Sequence, residues 1–236
     1  MSEWAPKRFW KTTETTPVDA GFGILLDGRP VKTPAKATLF VPSEALAAEI
    51  AREFDAQDER IDPTTMPFTR TANAAIDKVA IQHAEVADML AEYGDSDLLC
   101  YRADEPEELV NRQNEQWDPL LDWAEEALDA RLEPRTGVIH APQDPAALQA
   151  LRGRVHAMSP FELAAFHDLV SISGSLVIGF AAKQSHMSAE DLWPISRLDE
   201  IWQEEQWGKD EEAQEMVAYK QAAFLHADVF MRLIRA

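Results

Sequence analysis

Residues 159–182 read SPFELAAFHDLVSISGSLVIGFAA. Ser159 stands before Pro160, with Glu162 three positions after the serine. That is the pattern of a helix start: a hydroxyl to accept from an orphan N–H, a proline at the first helical position, and a carboxylate to reach back. Behind it, Leu163, Phe166, Leu169, Val170, Ile172, Leu176, Val177 and Phe180 leave almost no polar side. A helix that is apolar nearly all round is a central, buried one, so the spacing predicts a single helix as the axis of a helical core. Ser171, Ser173, Gly174, Ser175 and Gly179 are read as small residues that let neighbouring helices approach closely. The uncharged run Leu169–Ala182 has fourteen residues, short of the ~20 needed to span a bilayer. No membrane insertion is expected.

Working outward, apolar spacings of three, four and seven predict a helix over about 189–207 burying Ile195, Leu198, Ile201 and Trp202. A second is expected over about 211–235, burying Ala213, Val217, Phe224, Ala227, Met231 and Ile234. Gly208 fits the position after a helix end and Asp210 an N-cap. Upstream, a long amphipathic helix is expected over about 107–132, where Pro119 kinks or divides it. Ala147, Leu148, Leu151 and Val155 mark another helix after a loop at 137–145, and Val86, Met89 and Leu90 a short one ended by Gly94. Residues 7–42 read differently. RFWKTT and AGFGILLD predict strands, Asp27-Gly28-Arg29-Pro30 a turn, and PVKTP and ATLFVP further extended segments. Ser43 is the expected N-cap of a helix carrying Leu46, Ala47, Ile50 and Phe54, and Pro67 opens another running to about Val79. The fold class is α+β: a small β-rich α+β domain at 1–82, then a larger all-helical domain at 83–236.

Lys+Arg total 22 against 42 Asp+Glu, a formal charge of −20. Such a chain repels phosphate backbones and anionic membrane surfaces, so no nucleic-acid partner is expected, and a partner with a basic face is favoured. One cysteine, Cys100, excludes an intramolecular disulfide and fits a reducing compartment. The start, MSEWAPKRFW, has no apolar signal core, and the expected location is the cytoplasm.

Enzyme signatures are mostly missing. The histidines at 83, 140, 156, 167, 186 and 226 include no i,i+4 pair and none with a glutamate three residues earlier, so neither a helical zinc pair nor a di-iron motif is present. Neither G-x-G-x-x-G nor a P-loop occurs. Asp95-Ser96-Asp97 opens like a calcium loop, but Cys100 and Pro106 stand where glycine and glutamate belong, and it reads as a helix-ending turn. Cys100, after two leucines, is expected to be buried. What remains is Ser196–Glu215, SRLDEIWQEEQWGKDEEAQE. Asp199, Glu200, Glu204, Glu205, Asp210, Glu211, Glu212 and Glu215 share it with Trp202 and Trp207. Unpaired charge cannot be buried cheaply and two tryptophans are poorly placed on a purely solvated face, so the segment reads as a surface that meets another macromolecule. If Gly208 leaves the flanking helices nearly in line, Glu200, Glu204, Glu211 and Glu215 form one stripe.

Four blocks then resemble, in order, the mitochondrial F1-ATPase assembly chaperone that serves the α subunit. They are LDGRPVKTPAKATLFVPSEALAAEIAREFDAQDERIDPTTMPFTRTANAAID, DSDLLCYRADEPEELVNRQNEQWDPLLDWA, SPFELAAFHDLVSISGSLVIGFA and SRLDEIWQEEQWGKDEEAQ. The start, without a presequence, suits a bacterial member. The resemblance implies a non-enzymatic factor with no cofactor, monomeric when free, that binds free F1 α and keeps it from aggregating before it pairs with β. The family's important acidic position follows its W-G motif and matches Glu211. Arg197, Asp199, Glu200 and Trp207 are the further expected client contacts. Phe54 departs from the tryptophan usual in the family's W-D-x-Q segment. The competing readings are a solvated helix face, in which Glu211 only complements the charge of a helix N-terminus, a carboxylate-based hydrolase or metal-dependent enzyme using Asp199–Glu215, and a holdase without client preference.

Overall fold

A two-residue turn sets the first sheet. Asp27 and Gly28 both adopt positive φ (49° and 75°), the geometry that an Asp-Gly hairpin turn needs. The computed structural model describes residues 7–137 and 139–236. Residues 1–6, in the segment read for targeting signals, and Val138, in the loop expected at 137–145, lie outside the described residues. So does the side chain of Glu212.

The chain forms two compact units. One comprises the residues to His83 together with 159–165 and 229–236, and the other comprises 84–158 and 166–228. In the first, β1 (Thr13–Val18) and β2 (Gly21–Leu26) pair antiparallel along their whole length, Thr13 opposite Leu26. The free edge of β2 takes β3 (Arg29–Pro30) at one end and β4 (Phe40–Val41) at the other. Gly21, with φ of 140°, is obligatory, because a Cβ there would lie 2.2 Å from the Val41 carbonyl oxygen. The strand expected at RFWKTT is displaced: it begins only at Thr13. The Asp27 carboxylate accepts from the backbone N–H groups of Lys11 and Thr12, both at 2.9 Å, and pins those residues as the turn's cap instead. Helix α1 (Glu44–Asp55) packs on β1, β2 and β4. Ser43 caps it as expected, its Oγ accepting from Leu46 N–H at 3.1 Å. Phe54 is buried against Trp10, ring centroids 5.6 Å apart. Helix α2 (Pro67–Ala74) runs into a wider π turn, Ala75–Val79. Its first N–H groups find the Glu53 carboxylate, which accepts from Phe68 N–H at 2.6 Å and Thr69 N–H at 2.8 Å.

The second unit is helical apart from a two-residue parallel pairing of β5 (Tyr101–Arg102) with β6 (Arg135–Thr136). It holds most of α3 (His83–Ala91), α4 (Glu107–Leu128) and α5 (Pro145–His156), then the greater part of α6 (Pro160–Ser173). After these come α7 (Leu176–Lys183), α8 (Ala189–Ser196), α9 (Leu198–Trp207) and the greater part of α10 (Glu211–Leu233). Helix α4 passes through Pro119 undivided and stops at Asp129, whose φ of 54° is left-handed, short of the expected Leu132.

In place of the single central helix expected over 159–182 the chain forms two, α6 and α7. The capping box forms as read, Glu162 N–H donating to Ser159 Oγ and Ser159 N–H to Glu162 Oε2. At Gly174, however, φ turns to 74°, and Ser175 starts α7 by accepting from Ile178 N–H at 3.0 Å. The small residues at 173–175 therefore break the helix. Only Gly179 serves close approach: a Cβ there would meet Val170 at 2.7 Å. Helix α7 is buried from Leu176 to Ala182 and packs against α4 and α8.

Asp97 holds this break in place. It is fully buried, Oδ1 accepting from Leu99 N–H at 3.0 Å and Oδ2 from Val177 N–H at 3.1 Å. The residue read as part of a turn thus caps two helical starts far apart in sequence. Burial dominates its titration and pushes the carboxyl up to about 6 despite those hydrogen bonds. Cys100 is buried as expected, and burial pushes its thiol up to about 12, which leaves it inert as a nucleophile.

Candidate functional site

The acidic segment occupies α8, α9 and the start of α10, all in the second unit. The helix expected over 189–207 is interrupted. Ser188 caps α8 by accepting from Asp191 N–H, and Arg197, with φ −114° and ψ 21°, leaves helical geometry before α9 restarts. Two side chains account for that junction. Ser196 Oγ donates to the Trp193 carbonyl at 2.7 Å. The Arg197 guanidinium lies over the Trp193 ring at 5.8 Å and donates to Glu204 Oε1 at 3.0 Å.

Helix α4 clamps this region through three side chains, of which the sequence pattern marks only Trp117, as part of the apolar face. Gln113 Nε2 donates to Asp199 Oδ1 at 2.7 Å, and Trp117 Nε1 to the Ile195 carbonyl at 3.0 Å. Arg112 forks onto both oxygens of Glu205 at 2.6 and 3.0 Å. The fork lowers the Glu205 carboxyl below its ordinary range, as the Arg197 guanidinium lowers Glu204.

The second helix of the corner is also tied. Gln214 Nε2 donates to Glu204 Oε1 at 3.1 Å. Ten residues of straight helix would separate those Cα atoms by ~15 Å, beyond the reach of the two side chains. The chain therefore turns at Gly208, whose φ is 88°, and the in-line stripe of Glu200, Glu204, Glu211 and Glu215 does not form. Asp210 caps α10 as expected, accepting from Ala213 N–H at 3.4 Å. Ala213, expected to be buried, is exposed, because the first helical turn after Gly208 has no core beneath it. Val217 is half-buried, while Phe224 and Ala227 are buried.

The carboxylates thus fall into two sets. Asp199, Glu204 and Glu205 are held by Gln113, Arg197 and Arg112. Among the described residues, Glu200, Glu211 and Glu215 are exposed and have no ion pair or side-chain hydrogen bond. Trp207, beside the turn, is 79% exposed, and Met216 and Tyr219 on α10 are 56% and 63% exposed. Met216 and Tyr219 escaped the sequence reading because it assigned α10 its buried face alone. Their i,i+3 spacing was the available signal. On another side of α9, Ile195, Leu198 and Ile201 line an open groove of about 460 Å³ together with Arg112 and Met187.

Among the described residues no group of three or more His, Cys, Asp or Glu is arranged to hold a metal ion. No helix of the described residues is long and apolar enough to cross a membrane.

The family model of ATP12 chaperone proteins matches residues 7–125. The chain belongs to the ATP12 chaperone family. It is 48% identical to ATP12 of Paracoccus denitrificans, covering 99% of this chain and 100% of that one with a TM-score of 0.95. A solved protein from Agrobacterium tumefaciens is 41% identical over 98% of this chain and 87% of its own, with a TM-score of 0.92. "Protein atp12, mitochondrial" of Schizosaccharomyces pombe is 28% identical over 222 residues, 89% of this chain and 76% of the relative. Membership makes this ATP12 protein a chaperone of ATP synthase assembly, as the four sequence blocks implied.

Proposed function

We propose that the protein binds the free α subunit of F1-ATPase through the α9–α10 corner, as a monomer in the bacterial cytoplasm, and shields α until β replaces it. An unassembled subunit of a larger complex exposes apolar interface, which is an aggregation hazard. The observation that carries the reading is the exposure of Trp207 at the turn between α9, which carries Glu200, and α10, which starts at Glu211; neither carboxylate has an internal partner among the described residues. Glu211 is the expected central contact. Trp207 and Glu200 are direct contacts, whereas Arg197 and Asp199 set their geometry through Glu204 and Gln113. A mixed aromatic and acidic face suits a client that must be held and then released, since it combines a desolvated anchor with steering charge.

The test is an aggregation assay on purified α. Wild-type protein protects α, while Glu211→Lys keeps its circular dichroism and melting temperature but loses protection. Equal protection of unrelated clients refutes α-specificity, and a Glu211→Lys variant that protects normally removes Glu211 from the contact.

A further inference from the structure

Helix α10 is 23 residues long, yet among the described residues from Glu211 to Ala223 none is buried; the first is Phe224. Helices in proteins owe most of their stability to packing of an apolar face. Over these first turns, ~20 Å of helix at 1.5 Å per residue, the internal supports visible are the Asp210 cap and the Gln214–Glu204 hydrogen bond. Gln214, Val217 and Gln221 are half-buried, whereas Met216 and Tyr219 are exposed with no core above them. Among the described residues, Trp207, Met216 and Tyr219 are three of the eight exposed large apolar side chains, gathered within thirteen positions of the sequence. Aromatic residues and methionine are the types enriched at interface centres.

Charge specifies the occupant. Glu211 and Glu215 sit i,i+4 on α10, a like-charge spacing that destabilises a helix, and neither has a cation among the described residues. Lys209 beside the turn and Lys220 on α10 are exposed and form no ion pair with Glu211 or Glu215 among the described residues, while Arg197 and Arg112 are paired with Glu204 and Glu205. A second copy of this chain, itself at −20, would add repulsion, as would nucleic acid or an anionic membrane. Resting on the α-subunit reading above, we propose that Met216 and Tyr219, with Trp207, are the apolar anchors of the client contact. The surface they grip is an apolar patch bordered by lysine or arginine side chains, which engage Glu211 and Glu215. Client binding then supplies both the missing apolar cover and the missing cations, and the corner is complete only in the complex.

The experiment titrates purified α into the wild-type full chain and three variants of it at low and high salt, following affinity and association rate. Met216→Ala with Tyr219→Ala is expected to weaken binding by about tenfold or more, with melting temperature and helicity unchanged, since alanine is the best helix former. Glu211→Gln with Glu215→Gln is expected to slow association and flatten its salt dependence. Met89→Ala, which removes an exposed apolar side chain on α3, is expected to bind like wild type. If the alanines alter the melting, glutamines at 216 and 219 decide the same question with another good helix former. Wild-type affinity in the apolar variants overturns this inference and leaves the client reading standing. Failure of the wild-type chain to hold α at all overturns both.

Discussion

Asp97 contributes a stability that falls as pH rises through the mildly acidic range, opposite in sign to the contribution of the lowered carboxyls such as Asp88, Glu204 and Glu205. Its carboxyl titrates at about 6 in the folded chain against 3.8 for an unburied aspartate. A raised carboxyl means that the folded state holds the proton more tightly than the unfolded state between those values. The associated stability is fully present below 3.8, is lost as pH rises to about 6, and stays constant above. At 1.36 kcal/mol per pH unit the loss is about 3 kcal/mol. The perturbation that isolates it is Asp97→Asn, which cannot ionise. Asparagine has one acceptor oxygen for Leu99 N–H and Val177 N–H, and leaving one of them unsatisfied costs about 1–3 kcal/mol at every pH. That constant offset drops out of the pH dependence. Urea unfolding of both proteins from pH 4 to pH 8 is therefore expected to give a stability difference that moves by about 2 kcal/mol in favour of the variant by pH 7, the rest of the loss lying below pH 4. A difference that stays flat across that range refutes burial as the cause. Amide exchange at Val177 and Ile178 gives the local counterpart: protection there should weaken between pH 4 and pH 6 in the wild type only.

Two further substitutions probe the elements that organise each unit. Gly179→Ala places a methyl 2.7 Å from the Val170 side chain on α6 and is expected to destabilise by about 1–3 kcal/mol through overpacking, read as a lowered denaturation midpoint; an unchanged midpoint contradicts the close approach. Ser43→Ala removes the α1 cap and also the hydroxyl that donates to the Leu233 carbonyl at 2.5 Å. Its expected cost is about 1–2 kcal/mol, and substitution by glycine should recover none of the Leu233 hydrogen bond.

The elements legible in the sequence were those whose signal is local. Ser43, Ser159 and Asp210 are caps because a short polar side chain stands where helical periodicity begins, and all three cap as read. The Asp27-Gly28 turn was visible for a similar reason. The errors share a cause as well. Apolar spacing is blind to a single residue that leaves helical geometry while the pattern on both sides persists. Gly174 and Arg197 each split a helix that the pattern ran together. Long-range partners were invisible: nothing in the order of residues says that Asp97 caps α7, or that Arg112 and Gln113 hold Glu205 and Asp199. The candidate site was found as a segment but not resolved, since composition cannot separate carboxylates that are paired from those that face outward.

That separation yields its own prediction, because the two sets must fail differently. Glu204 accepts from Arg197 and from Gln214, so it links the α8–α9 junction to α10. Glu200 is exposed and, among the described residues, takes no part in these hydrogen bonds. In Glu204→Ala the guanidinium of Arg197 loses its partner and the Gln214 tether is released, so the orientation of the first turns of α10 is no longer fixed. The expected result is faster amide exchange over residues 213–219 and weaker client binding expressed chiefly as faster dissociation. Glu200→Gln leaves every one of those hydrogen bonds in place. Its expected effect is confined to association: a slower on-rate at low salt, converging with wild type once salt screens beyond a Debye length of about 8–10 Å. Exchange over residues 213–219 should not change. Faster exchange there in Glu200→Gln, or a Glu204→Ala variant altered only in its salt-dependent on-rate, contradicts this division. In either case the split into holding and facing carboxylates would not be the one that governs how this corner works.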